Sequence, residues 1–520
     1  MQYDYDYLIV GSGFGGSVSA HRLTQKGYKV AVVEKGQRWD PEQFPETNWK
    51  LRKWLWLPLL RFRGIFKITI MRHVGILSGV GVGGGSLMYA NTLPRPREAF
   101  YGSGSWAGLA DWKTELEAHY SEAERMLGAT ENPALYDSDE ALQRVAGRFG
   151  KAGQFEATRV AVYFGEPEEE VADPFFDGEG PRRSGCNMCG GCMTGCRYNA
   201  KNTLDKNYLY LAEKKGAEVL AKKKVVDVRP LGTQDGSAGY EVILRDSVGI
   251  IKRRTRICAR RVILAGGVLG TVRLLLNLKR KSLPRISDQL GSQIRTNNES
   301  LALVHSRQKD KDFSRGVAIG SIFPPDKDSH IEPVRYASGS GFWKLMGVPM
   351  VHGRSVVERI LKLIWSFIRR PMVWLRIYFS RDFAKESLIL LFMQHLDSTL
   401  KLKRGLINLR STVSSGPAPS AAMPLARELA DATSEEVEGN PFVMVTEAVL
   451  GTPLTAHILG GCVIGEDASS GVIDQEHRVF GYENLYVCDG SAISANPGVN
   501  PALTITAMTE RAMSLIPANG

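Results

Sequence analysis

Nowhere in the 520 residues is there a run of about 20 apolar residues free of charge, which excludes a membrane-spanning helix as a reading of this sequence. The N-terminus lacks the basic segment, apolar segment and twin arginine of an export signal, and MQYDYDYLIV runs straight into a strand pattern. A cytoplasmic location is therefore expected. Cysteine is scarce, seven in all with four crowded between 186 and 196, so a disulfide framework is not expected. Internal repeats are absent, as are RNA-binding and helix-turn-helix signatures, and the scattered arginines and lysines argue against nucleic acid as a partner. Their net excess of +11 would suit another anionic partner, such as a membrane surface. What remains is ordinary globular composition, 43% hydrophobic and 23% charged, in a chain too long for one core; two lobes are expected.

Residues Tyr7 to Val10 read as a short buried strand, followed by Gly11-Ser-Gly13-Phe14-Gly15-Gly16 and an amphipathic helix to about Lys26. A second strand, Lys29 to Val33, ends in Glu34. Strand, G-x-G-x-x-G, helix, strand and acid together make a dinucleotide-binding fingerprint. Gly11 permits the tight turn, Gly13 lets main chain approach a pyrophosphate, and Gly16 lets helix and strand pack. The helix N-terminus offers unpaired N–H groups to the phosphates, and Glu34 is placed to accept hydrogen bonds from ribose hydroxyls.

That fingerprint alone does not separate FAD from NAD. A second glycine run, Gly79-Val-Gly81-Val-Gly83-Gly84-Gly85-Ser86, follows an apolar stretch, with Asn91 just beyond it. Such a run lets main chain lie against a large planar ligand, or is simply a flexible loop. RVILAGG at 261–267 reads as a buried strand before a helical VLGTVRLLLNLK. The last block holds THILGGCVIG, GVID, RVFGYENLYVCDGSA and NPGVNPALTITAMTERA.

With CMTGCRYNAKNTL, SHIEPVRY and FMQHLD, these segments resemble the glucose–methanol–choline (GMC) oxidoreductases, most closely their actinobacterial cholesterol oxidase branch. The resemblance implies an α/β fold in which a Rossmann-type FAD-binding lobe (1–48, 74–105, 215–310 and 450–520) is interleaved with an α+β substrate lobe built on an antiparallel sheet (49–73, 106–214 and 311–449). It implies FAD, bordered by Gly83, Gly84, Ser86, Asn91, Val225 or Val226, Ala265, Gly266, Asp489, Gly490, Asn500, Pro501, Leu503 and Thr504. It also implies oxidation of an alcohol by hydride transfer to flavin N5, which needs a proton acceptor. Taken alone, His457 reads as a satisfied structural histidine; the resemblance places it at the catalytic position, with Asn500 at the substrate oxygen or flavin edge. Steroid-oxidising relatives carry a glutamate that relocates a ring double bond. Glu386 lies near that place with its register off by one, and Glu332 is another carboxylate nearby.

Cys186, Cys189, Cys192 and Cys196 follow the C-x₂-C-x₂-C-x₃-C spacing of ferredoxins. The spacing leaves open an iron–sulfur cluster, zinc, a disulfide, or reduced thiols packing a loop. Aromatic and basic stretches at 49–67 and 358–379 suit either amphipathic packing or a membrane-surface face. Residues 411–440, rich in Ala, Pro, Ser and acids, read as a mobile loop. The leading functional expectation is oxidation of a cholesterol-like sterol with electrons passing to O2. Two alternatives stay open: an FAD dehydrogenase of another lipophilic alcohol delivering electrons through a cysteine-bound cluster to a quinone or protein, and a non-redox flavoprotein or lipid binder.

Overall fold

Short apolar runs bounded by glycine or charge become the strands of a seven-stranded sheet in the computed structural model, which describes residues 2–520 apart from Ile250, His352, Arg354, Leu396, Asp397, Leu406, Ile407 and Ala422. The last two residues of FMQHLD therefore lie outside the described residues. The strands run in the order Glu218–Leu220, Val30–Val33, Tyr5–Val10, Arg254–Leu264, Tyr240–Asp246, Lys223–Pro230, and Leu485–Val487 joins the end of Arg254–Leu264. Tyr5–Val10 pairs in parallel with both its neighbours, whereas the pairs toward Lys223–Pro230 are antiparallel. Parallel strands covered on both faces read as unbroken apolar runs, which is how VAVV and YLIV come to be legible.

The Phe14–Gln25 helix leaves the glycine turn and packs with the C-terminal Ala502–Ser514 helix. Trp112–Leu127 joins them, although the sequence reading assigned it to the other lobe. The reason is its apolar stripe: Trp112, Leu116, Tyr120, Ala123 and Leu127 recur at helical spacing and are fully buried in the core of the first lobe.

The second sheet is antiparallel, in the order Ser329–Val334, Ser387–Gln394, Ser300–Ser306, Gly439–Met444, Gly347–Pro349. Ser300–Ser306, placed by the sequence reading in the nucleotide lobe, is its central strand. Alternation of side chains gives this sheet two faces. Ala302, Val304, Leu388, Leu390 and Phe392 pack with helices Asp137–Arg148 and Pro424–Glu436, whereas Leu303, Ile389, Leu391 and Val334 join a different apolar cluster. The expected loop at 411–440 is therefore largely structured. Leu409–Ser415 is a strand, and Pro at the first helical position begins a helix that buries Ala426, Leu429, Ala430 and Thr433.

A small sheet links the lobes: Leu454–Thr455 pairs in parallel with Gly75–Gly79, which pairs with Phe66–Ile70. Among the described residues no helix is long and apolar enough to cross a membrane.

Candidate active site

A cavity of about 1140 Å³ runs from the glycine turn to the inner face of the antiparallel sheet. At its nucleotide end, Gly11 and Gly16 have no room for a side chain: a Cβ would stand 2.2 Å from the Ala265 carbonyl oxygen and 2.0 Å from that of Gly11. Gly13 is the opposite case, since a Cβ there meets nothing within 4 Å and would project into open space. Gly84 closes against Gly13, so the two glycine runs interlock. Phe14, Asn91, Val225, Val226, Ala265 and Gly266 line the same space, as do Asp489, Gly490, Asn500 and Pro501.

Six expected cofactor residues, Thr504 among them, stand behind the wall instead. Gly16 fills the contact just described. Glu34 accepts from Ser12 N (3.3 Å), Ser12 Oγ (3.0 Å) and Gly36 N (2.8 Å), which turns its carboxylate onto the loop. Gly83 N donates to Ser12 Oγ (3.1 Å), and Ser86 Oγ donates to Gly83 O (2.7 Å) while accepting from Leu204 N. Leu503 is fully buried in the core, next to Thr504, which hydrogen-bonds with Tyr120 at 3.1 Å. They brace the walls of the cavity.

The donors fit a flavin nucleotide. Neither amide atom of buried Asn91 has a partner, nor has Oδ1 of Asn500, and all three belong to residues on the cavity wall. A buried amide left unpaired costs free energy, so its natural partner is the polar edge of a ligand. Cations missed by the sequence reading gather near Val225: Lys35, Lys67, Lys224, Arg245, Lys252 and Arg273 all line the cavity. Burial, followed by mutual repulsion within this set, pulls Lys67 and Lys224 down to about 8. A pyrophosphate would relieve that repulsion.

The other end holds the reacting groups. Leu454–Thr455 delivers His457, whose backbone N–H donates to Thr455 Oγ1 at 2.9 Å. Its Nδ1 lies 2.7 Å from Glu299 Oε1, and Glu299 also accepts from Thr455 Oγ1 (2.8 Å) and Ala456 N (3.0 Å). An ionised carboxylate only accepts, so Nδ1 carries the hydrogen and Nε2 is left as the acceptor. Nε2 stands 3.4 Å from Asn500 Nδ2, which donates to Glu332 Oε1 at 2.9 Å. Glu332 is fully buried, and its Oε2 is 3.0 Å from His330 Nε2. Burial lowers the pKa of His457, but the charge and hydrogen bond of Glu299, joined by the charge of Glu332, outweigh it and leave it raised. Near Glu299, burial pushes Glu447 up to about 8.

Glu299 went unnoticed in the sequence because nothing local marks it. Asn297 and Asn298 both adopt left-handed backbone ahead of it, and Asn297 Nδ2 donates to Val499 O at 2.9 Å, tying this turn to the Asn500 loop. Glu386 is a correction. It does not border the cavity and instead meets His305 (3.6 Å) and Lys309 (3.7 Å). Glu332 lies opposite Leu391, whereas Glu386 ends the helical turn Phe383–Glu386 just before the partner strand, five residues back along the chain from Leu391.

Of the readings left open for the four cysteines, their surroundings accord with reduced thiols packing a loop. All are free, and among the described residues no group of three or more His, Cys, Asp or Glu side chains is placed to hold a metal ion. Packing divides them: Cys192 belongs to the apolar cluster behind the cavity, while Cys186 and Cys196 pack against Val160, Val162, Ala200 and Val317. Burial raises Cys186 and Cys192 and pushes Cys189 up to about 12. At Cys196 the charge of Lys206 and backbone N–H groups outweigh burial and lower it. The segment clips onto Gly316 through Gly190 N and Met188 O (2.8 Å each), and buried Lys201 bonds to the carbonyls of Leu87, Tyr89 and Cys192.

Models of the GMC oxidoreductase family match residues 181–285 and 400–509, and a model of the NAD(P)-binding Rossmann-like domain matches 9–39. A protein named cholesterol oxidase from Acinetobacter baumannii is 48% identical over 99% of this chain and 95% of its own length. Another of that name from Mycobacterium tuberculosis is 43% identical over 100% of this chain and 92% of its own. A solved structure of pyridoxine 4-oxidase from Mesorbium loti shares the fold, with a TM-score of 0.62, 15% identity and 98% coverage of both chains. Identity of this extent, reaching end to end across both walls of the cavity, shows that the chain belongs to the GMC oxidoreductases, which are FAD-dependent and act on CH–OH groups.

Proposed function

We propose that the chain oxidises the hydroxyl of a cholesterol-like 3β-hydroxysteroid to a ketone, with electrons passing to O2. The observation that carries this reading is an oriented base at the end of an apolar cavity. His457, held by Glu299, faces a wall of Leu301, Leu303, Val334, Ile389, Leu391 and Met444 that suits a rigid hydrocarbon better than a sugar. The names of the relatives at 43% and 48% identity support the same substrate class.

FAD, when bound, supplies the hydride acceptor. Gly13, Asn91, Ala265, Gly266, Gly490 and the start of the Ala502–Ser514 helix would hold it, and the lysine cluster in the same cavity favours an anionic ligand. His457 Nε2 takes the hydroxyl proton while the carbon gives up its hydrogen as hydride. In neutral His457, Glu299 holds the hydrogen on Nδ1 and so leaves Nε2 free and aimed, and it stabilises the imidazolium that forms. Asn500 orients the substrate oxygen between His457 and Glu332. Glu332, which accepts from Asn500 just behind the cavity wall, is then the better-placed carboxylate to move a ring proton and relocate a double bond.

The test is anaerobic. The flavin-loaded protein is mixed with cholesterol in detergent, the visible flavin absorbance is followed, and air is admitted. Bleaching with fast recovery is expected. Bleaching with sluggish recovery would replace oxygen by another acceptor, and no bleaching would remove the sterol assignment.

A further inference from the structure

The Val356–Arg369 helix is apolar on two faces. Its inner side is accounted for: Leu363 packs against Val348, Val443 and Ala448, and Phe367 meets Trp374 and Tyr378. Its outer side is not, because Val357, Leu361, Ile364, Trp365 and Ile368 are each half or more exposed and no residue of the helix is buried. Their spacing makes one stripe along the whole helix. After Pro371, Met372, Leu375 and Phe379 extend it. On a helix covered only by its own protein this stripe would be polar, and a continuous exposed apolar surface marks contact with something else.

Charge says what that is. Between 356 and 379 there are five basic side chains, Arg359, Lys362, Arg369, Arg370 and Arg376, against one acid, Glu358, which Lys362 already engages at 2.6 Å. A second apolar tip rises from the same cluster of aromatic rings. The Trp56–Arg63 hairpin exposes Leu59 at 95% and Leu60 at 61% just before Arg61 and Arg63, and its root, Trp54, packs on Phe342 and Trp343. Trp56, Pro58 and Leu59 also line the cavity, so this tip lies at its mouth.

We propose that the Val356–Arg369 helix and the tip of this hairpin dock on a lipid bilayer bearing anionic headgroups, with the helix lying in the plane of the interface. A second copy of the chain fits the same face poorly, since a two-fold contact would bring the two sets of basic side chains together without counter-charges. The proposal does not rest on the reaction, and the vesicles that test it contain no alcohol substrate.

Full-length, flavin-loaded protein is floated with phosphatidylcholine vesicles with and without phosphatidylglycerol. Binding to the anionic vesicles and release by salt are expected. I364D/W365D should lower the bound fraction about ten-fold or more by placing charge in the apolar stripe. R369Q/R370Q, which leaves that stripe intact, should weaken binding to anionic vesicles roughly five-fold per charge removed. These side chains are exposed, so both variants should keep bound flavin and turnover of detergent-dispersed alcohol. No binding by the parent chain overturns the proposal, as does binding unchanged in either variant. A solution dimer broken by I364D/W365D would assign the face to a second copy instead.

Discussion

Replacing Glu299 by Gln removes one charge from the heart of the site and leaves a single oxygen, which serves either Thr455 and His457 on the Oε1 side or Ala456 on the Oε2 side but not both. The Glu299 carboxylate lies 2.7 Å from His457 Nδ1, with side-chain exposures of 2% and 12%, so solvent screens the pair little. An opposite charge at that range raises a histidine by roughly one to three pH units. Here that gain exceeds the depression from burial, and the pKa sits above its usual 6.5. The base must be neutral to accept a proton, so kcat/KM falls as pH drops through this pKa. In E299Q burial acts with less opposition, and the acid limb should move to lower pH. The rate should still fall at every pH. General-base catalysis contributes about 10²- to 10⁴-fold, and a base that is weaker and less firmly aimed should lose about 10²-fold, close to 2.7 kcal/mol of barrier. Stability gives an independent readout. A histidine with a raised folded-state pKa stabilises the fold below its unfolded value, and that contribution is lost as pH rises through the folded value. The melting temperature of E299Q should therefore fall furthest behind at acid pH and close the gap as pH increases. A kcat/KM profile with an unmoved or raised acid limb would refute the argument, whatever the loss in rate.

Other consequences are as direct. E332Q should retain oxidation, read as anaerobic flavin bleaching, but produce ketone whose double bond stays unshifted by product chromatography. E386Q removes only the contacts with His305 and Lys309 away from the cavity, so both activities should stay within about two-fold. G13A and G15A should separate cofactor binding from folding. A Cβ at Gly13 enters open space where phosphates would lie, so the protein should fold but purify with little flavin. A Cβ at Gly15 would lie 1.7 Å from the Cys488 carbonyl oxygen, so G15A should unfold at lower temperature, by about 1–3 kcal/mol or more of stability. Normal flavin content in G13A would remove Gly13 from the cofactor site.

What could be read in the chain divides by range. The glycine turn, its flanking strands and its helix are set by neighbours a few residues apart, so spacing alone exposes them. His457 and Asn500 came forward only because whole segments resemble a family, and the fold brings them to 3.4 Å across 43 residues of chain. Glu299 is 158 residues from the histidine it orients, in a turn whose asparagines signal only left-handed backbone. The choice between Glu332 and Glu386 failed for a subtler reason. SLILLFMQ is buried along nearly its whole length because helices cover one face and the cavity lies against the other. A strand buried on both faces has no alternation of polar and apolar residues, and a shift of one residue would exchange its faces without changing its composition. The phase comes instead from the neighbouring strand, where Glu332 and Val334 share a face and Ile331 takes the other. Val334 opposite Ile389 and Glu332 opposite Leu391 put the carboxylate on the face that looks into the cavity. Glu386 belongs to the helical turn Phe383–Glu386 that precedes this strand, so in the observed register it lies beyond the pairing that carries Glu332 to that face.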